Sequence, residues 1–117
     1  MNDGIYSYLV DSDDVIGTNV YDSEGEHIGK VERLVLRKID GRVAHAVLTF
    51  GGVWGLGADY YPIPWSELQY NDDLDGFQIQ LTQDQIENGP KYDPKVDYDW
   101  SSENDRRINE YYGVADR

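Results

Sequence analysis

Cysteine is absent from this chain of 117 residues, which removes disulfides, thiolate metal sites and cysteine nucleophiles together. Long apolar runs are missing as well: no stretch reaches the roughly 18 residues of a membrane-spanning helix, so no membrane insertion is expected. The opening Met1-Asn2-Asp3-Gly4 has neither the basic region nor the apolar core of a secretory leader. These absences set the expectation of a cytoplasmic location. Histidine is scarce, with His27 beside a turn and His45 inside an apolar run. General acid–base chemistry most often uses a positioned histidine, and a lone strand histidine without a recognisable partner reads as a structural residue. Neither a G-x-S-x-G elbow nor an H-E-x-x-H helix occurs. The glycine-rich segment 51–57 is not followed by Gly-Lys-Ser/Thr, so it is no phosphate loop. An enzyme is not expected, nor is a cofactor.

Positive charge is the next scarcity. The net charge is −13, a field that repels a phosphate backbone, and nucleic-acid affinity depends on Lys and Arg contacts; no nucleic acid is expected as a partner. Residues 1–29 and 43–89 contain no Lys or Arg at all. Every basic residue before position 90 falls between Lys30 and Arg42: Lys30, Arg33, Arg37, Lys38 and Arg42. Two readings fit this island. It is a solvated strand charged against edge pairing, or a docking stripe for an acidic surface, including that of a second copy.

What is present is mostly strand signal. Ile5–Val10 is a short β-prone run. Ser12 to Gly17 reads as a turn capped by Ser12 and closed by Gly17. Asn19-Val20-Tyr21 follows as a short strand, turned by Asp22-Ser23-Glu24-Gly25. Residues 28–38 and 42–50 are two long strands joined by a tight Ile39-Asp40-Gly41 hairpin. Leu34 and Leu36 share one face and Arg33, Val35 and Arg37 the other. Val31 falls on the wrong parity, which places a bulge near Glu32. In the second strand Ala44, Ala46, Leu48 and Phe50 oppose Val43, His45, Val47 and Thr49. Both faces are apolar, so both are covered, the second by a tail or another subunit.

After the glycine-rich loop, residues 60–63 resume a strand and Pro64-Trp65-Ser66-Glu67 forms one helical turn. A second hairpin joins residues 68–70 to 77–81 around Asn71–Gly76. Thr82-Gln83-Asp84-Gln85 is a capping box opening a short helix that Gly89-Pro90 ends. From Pro90 the chain becomes an extended segment rich in aromatics. A helix over about 103–112 then stops at Gly113, with Ile108, Tyr111 and Tyr112 as its apolar face. So short a helix needs a surface to dock on.

The run Val15-Ile16-Gly17, Val20-Tyr21-Asp22, Gly25-Glu26-x-Ile28-Gly29-Lys30-Val31 carries a pattern. With the 44–50 strand, Gly51-Gly52 and Tyr61-Pro62-Ile63-Pro64-Trp65, it resembles the PRC-barrel family over about residues 12–89. The resemblance implies a mostly β fold: a small closed or partly open antiparallel β-barrel of about six strands used as a protein-docking platform. The division expected is a barrel over 1–89 and an extension over 90–117 packing on it or on a second subunit.

The function that follows is a non-catalytic interaction or adaptor module, self-associating as a homo-oligomer (a dimer) and docking a protein partner of unknown identity. The candidate partner-binding residues are Val53, Trp54 and Leu56, an apolar loop tip set among glycines, with Arg33 and Arg37 from the basic island. Tyr98, Trp100, Ile108, Tyr111 and Tyr112 are the residues expected to dock the tail. The alternative is a barrel that binds a small molecule or a divalent cation. Asn71, Asp73, Asp75 and Gly76 match part of a calcium loop, but Thr82 stands where the bidentate Glu belongs, and no metal site is assigned. Asp11, Asp13 and Asp14 read as helix N-terminal charge.

Overall fold

The computed structural model describes residues 9–50 and 59–115. Its order is α1 (Ser12–Val15), β1 (Asn19–Tyr21), β2 (His27–Leu36), β3 (Val43–Phe50), β4 (Tyr61–Pro64), a 3₁₀ turn (Trp65–Glu67), β5 (Gln69–Asn71), β6 (Gly76–Gln78), α2 (Gln83–Glu87) and α3 (Ser102–Tyr111). The six strands form one sheet in the order β4-β3-β2-β1-β6-β5. No ladder joins β4 to β5, and the chain passes between them through the 3₁₀ turn, so the barrel is partly open. The fold is mostly β, as the pattern implied. One pairing departs from the antiparallel expectation: β1 runs parallel to β6, Val20 beside Phe77. Parallel neighbours need a long crossover, and here the whole of β2–β5 provides it.

β2 and β3 are the backbone of the fold. Their register slips between Val31 and Arg33, which is the bulge that parity places at Glu32. The extra residue returns Val31 to the inner face, where it is fully buried. Gly29 lies opposite Phe50, and a Cβ there would sit 2.0 Å from the Thr49 carbonyl oxygen. Only glycine lets the two backbones approach so closely. A second slip lies between Val35 and Leu36. Leu36 therefore does not follow Leu34 inward; it is 56% exposed while Leu34 packs on the core. The hairpin is also longer than a tight turn. The Gly41 amide donates to Arg37 O and the Arg37 amide to Arg42 O, with Gly41 at φ +74°.

The core gathers Val15, Val20, Ile28, Val31, Ala46, Leu48, Ile63, Phe77, Ile79 and Ile86. α1 acts as a plug through Val15. Its cap is Asp11, whose backbone oxygen accepts the Asp14 and Val15 amides, and Ser12 is already inside the helix. Of the run 5–10, Leu9 and Val10 are not in a strand, and 5–8 lie outside the described residues. The capping box is formed: Thr82 Oγ1 accepts the Gln85 amide and Gln85 Oε1 accepts the Thr82 amide. No helix among the described residues is long and apolar enough to cross a membrane.

The outer face of β3 and β4 is buried too. His45 pairs with Pro64 and Val47 with Pro62, and all four side chains are buried. The chain after Pro90 lies along this part of the sheet. Tyr92 exchanges two backbone hydrogen bonds with Tyr60, at 2.8 and 2.9 Å, and α3 packs across β4. Ser101 caps α3 by accepting the Asn104 amide, and Ile108 is fully buried.

Candidate functional site

The β2–β3 hairpin, the Pro64–Ser66 segment and the start of α3 enclose a groove of about 500 Å³, within the usual range for ligand sites. Each wall follows from a local feature. The slip at Val35/Leu36 turns Leu36 outward into the groove. The hairpin loop carries Arg37, Lys38 and Arg42 onto one rim. The 3₁₀ turn after Pro64 presents Trp65, which also packs on the core. The tail brings Trp100 and the Ser101–Ser102 start of α3 to the opposite side.

Between these walls sits the one buried polar side chain of the described core, His45, 2% exposed. Its Nε2 lies 2.6 Å from Asp105 Oδ1. A carboxylate can only accept, so Nε2 carries the proton and donates it. Nδ1 is then an acceptor, and it is buried with no hydrogen-bond partner. Burial pushes the His45 pKa below its ordinary 6.5, and the Asp105 hydrogen bond and charge oppose this without overcoming it. The pair is a neutral imidazole donating to a carboxylate, held closely by geometry and only weakly ionic. The Trp100 ring stacks over His45 at a centroid distance of 6.4 Å.

The rim is positive but shared. Arg37 Nε and Arg42 Nε lie 3.8 and 3.9 Å from the two oxygens of Asp40, long exposed contacts worth well under 1 kcal/mol each. Lys38 makes no ion pair among the described residues. Three cations thus border an apolar floor on a chain of net charge −13.

Of the residues singled out from sequence, Arg37 stands on this rim. Arg33 does not: its guanidinium lies 4.9 Å over the Tyr60 ring, at the edge of the tail's aromatic cluster. Tyr92 stacks on Tyr98 at 4.6 Å, and Tyr98 meets Trp100 at 4.5 Å. The Tyr111 hydroxyl donates to Gln85 O at 2.6 Å. Tyr112 packs against the core, its hydroxyl buried without a partner. Val53, Trp54 and Leu56 lie outside the described residues. In the Asn71–Gly76 turn, Asn71 Oδ1 accepts the Asp73 amide and Asp75 accepts the Tyr70 hydroxyl. No group of three or more His, Cys, Asp or Glu among the described residues could hold a metal.

Lys38, Arg42, His45, Trp65 and Asp105 were not among the candidate site residues. The cations were visible in the basic island, and His45 on a strand with two apolar faces was a sign that something covers it. Asp105, 60 residues away, carried no signal.

A family model described as PRC-barrel domain matches residues 9–86. A search of curated proteins finds no match.

Proposed function

Because this chain belongs to the PRC-barrel family, whose domains are small interaction barrels, we propose that it is a non-catalytic docking module that receives an acidic protein surface at the groove rimmed by Arg37, Lys38 and Arg42. One observation carries the reading: cations that are missing from most of the sequence collect around an apolar concavity on an otherwise acidic molecule. Apolar contacts with Leu36, Trp65 and Trp100 supply affinity, and the rim selects and steers partners of opposite charge. The His45–Asp105 pair supports a structural use. A histidine general base needs one nitrogen presented to substrate, and here one is engaged by Asp105 while the other is buried. The Val53–Leu56 loop is a second proposed contact element.

The test is paired capture from the native cell extract, with wild-type chain and an Arg37→Glu/Arg42→Glu variant as baits. Acidic proteins retained by the first and released by the second support the proposal. An identical set on both baits contradicts it.

A second reading places a small ligand in the same groove, favoured by its volume of about 500 Å³ and by the cations along its rim. A ligand at a hundred times its dissociation constant stabilises by about 2.7 kcal/mol. Thermal shift against small anions, calcium and magnesium separates the two readings.

A further inference from the structure

We infer that the groove is built to receive the acidic N-terminal turn of a second copy of this chain, residues Leu9 to Asp14 of one copy entering the groove of another. The inference rests on the docking reading above and adds the identity of the partner.

The two surfaces are complementary in kind: the turn's carboxylates make no ion pair among the described residues, and on the rim Lys38 makes none while Arg37 and Arg42 make only long contacts with Asp40. Leu9 is 80% and Val10 49% exposed, an apolar pair leading directly into α1. Asp11, Asp13 and Asp14 follow, all exposed. None of the three carboxylates makes an ion pair among the described residues, and Asp11 makes no side-chain bond to the helix it caps. The groove offers the converse: Leu36 and Trp100, 56% and 42% exposed, beside Trp65, with Arg37, Lys38 and Arg42 along the rim. Two apolar side chains and three carboxylates within six consecutive residues thus face an apolar floor and three cations.

Charge also fixes how a second copy approaches. The −13 bodies repel one another, so two copies approach favourably only where cations cluster, and this hairpin gathers three within six residues. At about 0.15 M salt the screening length is about 8 Å. The repulsion between bodies is then largely screened, while pairs in contact across the groove are retained. The contact is small, so association is expected across about 10 μM to 1 mM, as for weak transient interfaces.

The experiment is sedimentation equilibrium of the full chain over that range at 0.15 M salt, approximately physiological. One variant reverses the rim (Arg37→Glu, Lys38→Glu, Arg42→Glu), a second reverses the turn (Asp11→Lys, Asp13→Lys, Asp14→Lys), and a third carries both sets. The wild-type mass is expected to rise from one chain toward two. Each single-set variant is expected to stay at one chain, the combined variant to associate again, and an equimolar mixture of the two single-set variants to pair. Circular dichroism checks folding. Should a reversed variant unfold, Arg→Gln and Asp→Asn versions replace it, each expected to weaken association at least tenfold. A wild-type chain that stays monomeric throughout, or single-set variants that associate like wild type, overturns the inference. If the wild type is monomeric but still captures acidic proteins through Arg37 and Arg42, the docking reading stands and the second copy is excluded. If that capture also fails, both fall.

Discussion

Replacing Asp105 with alanine separates the tail from the barrel energetically. α3 is ten residues long and fully buries one of them, Ile108. A helix of that length is marginal alone, so its attachment depends on few contacts. The substitution strips the acceptor from His45 Nε2, which is 2% exposed and cannot turn to solvent. An unsatisfied buried donor costs about 1–3 kcal/mol. The Asp105 side chain is 41% exposed, so water reaches the vacated place and the lower half of that range applies. A cost of about 1–2 kcal/mol corresponds to a roughly 5- to 30-fold larger population of the released tail.

Limited trypsin digestion reads this population. Arg106 and Arg107 lie within α3, and Lys30 and Arg33 within β2 serve as internal references. Cleavage follows the open fraction when opening and closing outpace the protease. Cleavage after Arg106 and Arg107 is expected to accelerate roughly 5- to 30-fold in Asp105→Ala, with the β2 sites unchanged. An equal rise at both sets of sites refutes a separable tail. No rise in α3 refutes the role assigned to the hydrogen bond.

Three further outcomes are expected. The unfolded chain takes up a proton at His45 near its ordinary 6.5, whereas the folded chain, its His45 pKa lowered by burial, does not. Stability is therefore full above pH 6.5 and declines as pH falls below it, until the folded value is reached; the drop in urea midpoint from pH 7.5 to 5.5 is expected to shrink in His45→Phe, and an unchanged drop contradicts it. Gly29→Ala drives a Cβ against the Thr49 carbonyl and is expected to cost about 3 kcal/mol or more in urea unfolding, a cost below about 1 kcal/mol being the contrary result. Tyr112→Phe removes a buried hydroxyl that has no partner and whose ionisation burial already suppresses. It is expected to be neutral or to stabilise by up to about 1 kcal/mol, and a lowered thermal midpoint contradicts this.

Local features were legible from sequence wherever the physics is local. The bulge at Glu32 follows from side-chain parity, the Thr82 box from capping chemistry, and the cover on β3 from its two apolar faces. Signals that depend on distant chain were not legible. The parallel β1–β6 contact joins residues over 50 positions apart, and neither strand's own sequence states its neighbour's direction. His45 read as a lone structural residue because its partner Asp105 looks like any other carboxylate of a solvated helix. The groove itself was invisible for a related reason: the slip that turns Leu36 outward is a property of the β2–β3 pairing. Even the Ser12 cap was misplaced by one residue, because the Asp11 backbone, not a side chain, accepts the first helical amides.

A photo-crosslinking residue at Leu36, on the groove floor, tests the docking site most directly, with the same residue at Gln83 on exposed α2 as control. A discrete protein adduct, whether to another copy or to a different acidic chain, is expected from Leu36 and not from Gln83. Adducts of equal yield from both positions, or from neither, would contradict a docking role for this groove.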